Sequence, residues 1–121
     1  MIMPANTLSK EDLINRTYQF LLEMIPRLEK LPRNQKFLIA DRIENLIMDL
    51  LNTFIEAYYV PKDQKPPRLA KANLQIEQLR FLIRLCHDLQ YYSHSAYGYI
   101  SEKINEIGKM NGGWWRSLQV K

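Results

Sequence analysis

Glycine is nearly missing from this chain: four occur in 121 residues, and none precedes Gly98. Few positions can therefore adopt a left-handed backbone, so tight hairpins and long irregular connections have little to be built from. Breaks fall instead at Pro32, at "VPKDQKPP", at "YYSHS" and at "NGG". Between them every segment repeats its apolar residues with helical period, and no strand alternation or internal repeat competes. The fold expected is all-α.

The breaks separate four helices. The first is predicted to start at Ser9 as N-cap, with Asp12 three residues on and Leu8 stapled to Leu13. Its seam reads Ile14, Tyr18, Leu21, Ile25 and Leu28, and Pro26 is expected to kink it. The second runs from about Asn34 to Tyr59, with Ala40, Ile43, Ile47, Leu50 and Phe54 on one stripe. The third opens at Pro66 and Pro67, ends near Tyr92, and carries the seam Leu69, Ala72, Ile76, Leu79, Ile83 and Cys86. The fourth begins near Ser95, presents Tyr97, Ile100, Ile104 and Ile107, and is predicted to stop at Gly112-Gly113. Short connections favour antiparallel neighbours, hence an up-down-up-down four-helix bundle. The whole chain, residues 1–121, reads as one domain with a flexible stretch at 1–8 and a C-terminal tail at 113–121. Trp114 in that tail either folds back onto the bundle or frays.

Seventeen Lys and Arg against thirteen Asp and Glu give a net charge of +4, a mild basic excess suited to a polyanion or an acidic protein. A single cysteine, Cys86, excludes an internal disulfide and a zinc cage of several thiolates. The longest apolar runs, "LIM" and "FLI", are far shorter than the roughly 20 residues of a membrane span. No secretory signal is visible. The localisation expected is cytoplasmic.

The third helix carries more than a core. On a wheel of about 100° per residue, Leu74, Phe81, Leu82, Leu85, Leu89 and Tyr92 form a second arc beside the seam, so apolar residues cover roughly 220°. Leu13, Phe20, Met24 and Leu31 likewise lie off the main seam of the first helix. Doubled stripes point to self-association. The remaining strip of the third helix holds Asn73, Glu77, Arg80, Arg84, His87 and Asp88. Glu77 with Arg80, and Arg84 with Asp88, have the spacing of local ion pairs, which reads as a solvated face. The other reading is that the guanidinium forks face a phosphate backbone or an acidic surface. Further cations cluster at the connections: Arg27, Lys30, Arg33, Lys36 and Arg42 at the first, and Lys62, Lys65, Arg68 and Lys71 at the second.

Nothing in the sequence reads as catalytic. Cys86 and His87 are sequence neighbours whose side chains diverge by about 100° on a helix, so they cannot form a nucleophile–base pair. His87, Asp88 and His94 match no metal-ligand spacing, and no glutamate stands three residues before either histidine. There is no phosphate-binding glycine loop. No catalytic residue, metal or cofactor is expected.

Three stretches, "LPRNQKFLIADRIENLIMDLLNTFIEAYY", "LAKANLQIEQLRFLIRLCHDLQYYS" and "INEIGKMNGGWW", resemble the accessory variability determinant (Avd) family of diversity-generating retroelements. The likeness spans about Leu31 to Trp115, and "RIE", "AN…LRFLIRL" and "EIGKMNGGW" carry it in order. Asn111 departs from it, standing where an apolar residue is expected. The resemblance implies a non-enzymatic four-helix bundle that assembles into a homopentameric barrel. Its implied partners are the element's reverse transcriptase and its template RNA or DNA, during mutagenic cDNA synthesis. By position it points to Arg80 and Arg84 in "LRFLIRL" and to Arg33 and Lys36 in "PRNQK" as binding residues. Arg68 and Lys71 join them as nearby cations, whereas Arg42 in "RIE" reads as structural. The sister group, four-helix bundle proteins encoded in rRNA intervening sequences, is the alternative, with a structural or ribosome-linked role. It carries a "SIxxNIAEG"-like stretch where this chain reads "DLLNTFIEAYY".

Overall fold

The computed structural model describes residues 5–119, with side chains described from residue 12 onward. Among the described residues there are four long helices and no strand: α1 (Ala5–Glu29), α2 (Asp41–Tyr59), α3 (Lys65–Asp88) and α4 (His94–Ser117). Helix α2 packs on α1 and α3, and α4 packs on α3 and α1, so each helix has two principal neighbours. None of them is long and apolar enough to cross a membrane.

The inner stripes of α2 and α3 match expectation. Ile43, Ile47, Leu50 and Phe54 are buried with Ala40 just before them, and Leu69, Ala72, Ile76, Leu79, Ile83 and Cys86 are wholly inaccessible. Helix α1 is rotated from its predicted seam. The core takes Leu13, Phe20, Met24 and Leu28, with Leu31 beyond the helix end, while Tyr18 is half exposed. Leu13, Phe20, Met24 and Leu31, expected on an outer second stripe, are the inner one, which Thr17 interrupts. Thr17 is buried and its hydroxyl donates to the Leu13 carbonyl at 2.8 Å, so a polar residue sits in the core at little cost. Backbone helix already runs from Ala5, so Ser9 lies inside α1 and does not cap it. The proposed Leu8 staple, and residues 1–4 of the expected flexible N-terminus, lie outside the described residues. Pro26 sits in the last turn, and the helix continues past it to Glu29.

The chain enters α2 through a 3-10 turn (Arg33–Gln35) and a wide π turn (Lys36–Ala40), where a regular helix from Asn34 was expected. Helix α3 stops at Asp88, four residues short of Tyr92. Gln90 takes a positive φ of 66°, and the Tyr91 and Gln90 amides return to the carbonyls of Cys86 (2.8 Å) and His87 (2.9 Å). This is a Schellman termination made with glutamine, so the scarcity of glycine concealed it. Tyr92 is thereby turned inward and buried. Ser93 then caps α4, its Oγ accepting from the Ala96 amide at 3.0 Å.

Helix α4 does not stop at Gly112-Gly113. Asn111 is buried and its Nδ2 donates to the Leu69 carbonyl of α3 at 3.1 Å, while Trp114 enters the core one turn later. These two anchors hold the helix through both glycines to Ser117, a case of tertiary packing overriding helix propensity.

Candidate partner-binding surface

The six cations singled out from the sequence occupy three separate places. Arg33 and Lys36 are exposed on the α1–α2 connection. Arg68 and Lys71 lie on the first turns of α3, half-buried and exposed respectively. Arg80 and Arg84 lie on its second half. Around the α3 axis Lys71 and Arg80 are about 180° apart, and Arg68 and Arg84 about 160° apart. The six therefore do not form one patch on a single copy.

Arg80 is committed within the molecule. It pairs with Glu77 on its own helix, and its Nη2 donates to Asn105 Oδ1 on α4 at 3.2 Å. Gly108 makes room for it: a Cβ there would stand 2.9 Å from the guanidinium Nη2. Arg80 is thus a strap between α3 and α4. Arg84 is different. Its side chain is 63% exposed and meets Asp88 only loosely, Nε to Oδ2 at 3.7 Å. An exposed pair of this kind contributes about 0–1 kcal/mol, so the guanidinium is free to exchange Asp88 for a better anion. Beside it His87 stacks on Tyr97 of α4, ring centroids 4.4 Å apart, with His94 5.7 Å away.

At the other connection Lys65 has a structural task that its place in a basic cluster concealed. Its Nζ donates to the carbonyls of Ala57 (2.7 Å) and Tyr58 (2.9 Å) at the end of α2. It also stands 5.8 Å from the Trp114 ring centroid. Arg68 Nη1 donates to the Gln64 carbonyl at 3.0 Å, which ties it to the same corner.

Apolar surface lies on the α2 side. The outer stripe Leu74, Phe81 and Leu85 of α3, with Leu89 just past its end, is exposed, Phe81 to 65%. With Leu46, Asn45, Asp49 and Arg42 of α2, and with Glu77, Gln78 and Leu82 of α3, Leu74 and Phe81 line an open groove of about 640 Å³. Tyr18 and Leu22 of α1, and Met48, Ile55 and Tyr59 of α2, extend the apolar surface around the other flank of α2. The α3 half of the expected double stripe is therefore present. The α1 half is made by Tyr18 and Leu22, because the residues first assigned to it are core.

Burial pushes the Cys86 thiol up to about 11, so it stays protonated at neutral pH and is a poor nucleophile. No curated protein and no solved structure matches this chain. A family model described as bAvd-like matches residues 12–118.

Proposed function

Because the chain belongs to the bAvd-like family, we propose that it is a non-catalytic accessory protein of a diversity-generating retroelement. In this reading it works in the cytoplasm and holds the element's reverse transcriptase and its template RNA or DNA during mutagenic cDNA synthesis. The observation that carries the reading beyond family membership is the composition of the outer face of α3. An exposed and weakly engaged Arg84 stands about 60° around the helix from the uncovered Phe81. A cation beside an apolar stripe suits a surface that meets a phosphate backbone while a protein covers the stripe.

The reading includes an antiparallel up-down-up-down bundle, supported by two contacts between α1 and α4. Arg16 meets Glu106 at 3.1 Å and Glu23 meets Tyr99 at 3.1 Å, so numbers rise on one helix as they fall on the other. It also includes a homo-oligomer, pentameric as the family resemblance implies, supported by the uncovered apolar surface around α2. In such a ring one Arg84 per copy repeats, and the fields add.

The test is a titration of template RNA against the wild type and against the Arg80→Ala, Arg84→Ala double variant over a range of salt concentration. The Arg84→Ala single variant, which keeps the Arg80 strap, is titrated beside them. The double variant is expected to stay folded, since the Arg84 pair contributes little and loss of the Arg80 strap to Asn105 leaves the apolar core between α3 and α4 intact. Its affinity is expected to fall severalfold, with a log–log salt slope shallower by about 0.7–0.9 per lost phosphate contact. Wild-type affinity and slope, together with undiminished capture of the reverse transcriptase, would show the strip to be an ordinary solvated face.

A further inference from the structure

We infer that the α1–α2 connection of one copy of this chain seats in the α2–α3 groove of a second copy. Phe37 and Leu38 would enter between Leu46, Leu74, Phe81 and Leu82. This rests on the assembly part of the reading above and names the surfaces that make it.

The knob comes first. Phe37 is 81% exposed, more than any other large apolar side chain among the described residues, and Leu38 beside it is 66% exposed. They stand out because the π turn Lys36–Ala40 holds them there while Ala40, at its end, is buried. The shallow depression that Phe37 borders with Ile25, Leu28 and Ala40 does not cover it. A phenylalanine that its own fold holds in water is an anchor waiting for a pocket.

The pocket is on the same chain. The α2–α3 groove, about 640 Å³, falls in the range that takes up whole apolar groups, about 300–1,000 Å³. Its walls are leucine and phenylalanine, and its rim carries Arg42 as well as Asp49 and Glu77. Glu77 is engaged by Arg80, but among the described residues no ion pair engages Asp49. The knob carries both signs in order: Arg33 and Lys36 precede it and match Asp49, while Asp41 and Glu44, which border Phe37 with Glu29, match Arg42 on the groove. Apolar end into apolar groove, with cations meeting a free carboxylate, is the complementarity that favours a second copy over an unrelated partner. Knob and groove are different surfaces, so the contact is heterologous and repeats from copy to copy until it closes a ring.

Light scattering and sedimentation of the full chain at micromolar concentration test it, with four variants beside the wild type: Phe37→Asp, Lys36→Glu, Asp49→Lys and the Lys36→Glu, Asp49→Lys swap. The expected result is a wild-type multimer, a Phe37→Asp chain at 14.4 kDa with unchanged helical circular dichroism, and at least tenfold weaker association for each single charge reversal. The swap should recover wild-type association. A wild type that is itself monomeric removes the assembly reading and this inference with it. A multimer that survives Phe37→Asp leaves the assembly standing and puts its interface elsewhere. Dissociation by Phe37→Asp without rescue by the swap overturns the groove as the seat. An unchanged multimer in which Asp49→Lys loses only reverse-transcriptase capture makes the polymerase the groove's occupant.

Discussion

The two broad sides of this bundle finish their surfaces in opposite ways. On the α4 side, polar groups close on one another across helix boundaries. Arg16 reaches Glu106, Tyr99 reaches Glu23, and the cations of Arg27 and Lys103 both lie within 5.4 Å of the Tyr99 ring centroid. Arg80 reaches Asn105 over the notch at Gly108. On the α2 side, Phe37, Tyr59, Leu74 and Phe81 stand exposed, and the charges between them on α2 are acidic except for Arg42. A side whose groups engage each other is complete without a partner. A side that leaves aromatic rings in water is stable alone only because the core beneath it is sufficient.

The largest effect that can test this contrast is at Trp114. The α4 side looks stable because of its surface pairs, but those are exposed and worth little, and the indole in the core does most of the anchoring. Trp114→Ala should cost about 3–5 kcal/mol, read as a lower urea midpoint. Loss of α4 helicity beyond Asn111 in the same variant would mark the tail as held by that ring. An unchanged midpoint would mean that the surface network carries α4 after all.

An intermediate effect comes from alkali. Burial raises Cys86 from 9.0 to about 11, and burial, with the neighbouring Cys86 adding to it, raises Tyr92 from 10.0 to about 12. Between those values the unfolded chain has released a proton that the folded chain keeps, so stability is complete below pH 9 and falls as pH rises toward 11 and 12. For Cys86 the loss amounts to roughly 2–3 kcal/mol. Cys86→Ala should flatten the first part of the decline in a denaturant series from pH 8 to 11.5. A decline unaffected by that change would assign the alkaline loss to Tyr92 and not to Cys86.

The smallest effect is at the turn that joins the two sides. Gln90 holds a positive φ, which costs a residue with a Cβ about 1–2 kcal/mol. Gln90→Gly relieves that cost but adds about 0.5–1 kcal/mol of chain-entropy cost, so stability should rise by about 0.5–1 kcal/mol, seen as a small rise in Tm, with both surfaces unchanged.

What the sequence revealed follows the same division. The stripes of α2 and α3 were legible because apolar side chains fill nearly every inner position; the two polar exceptions, Thr53 and Gln75, bond to each other at 2.9 Å between the helices. On α1 the stripe was visible but set on the outer face, because Thr17 satisfies itself locally and so breaks the pattern without breaking the core. The end of α4 was misread because Asn111 and Trp114 act through α3 and the core, which no local glycine rule contains. At the surface, the Arg84–Asp88 pair follows from spacing, four residues apart. The Arg80 strap does not, since Asn105 lies 25 residues away and the notch at Gly108 appears only when α3 and α4 are laid together. Exposure was the least legible quantity, which is why Phe37 drew no attention.

Lys65 links three helices through one charge. It is the first residue of α3, where the helix dipole disfavours a cation, yet it binds the terminal carbonyls of α2 and stands by the ring of α4. Three helix ends therefore share one ammonium, and none of them can fray without stripping it of partners. In hydrogen-exchange terms that corner should behave as one cooperative block, its amides released together and late. The opposite connection, with its 3-10 and π turns and no such tie, should exchange early, so the segment that carries Phe37 is free to adjust as it meets whatever receives it.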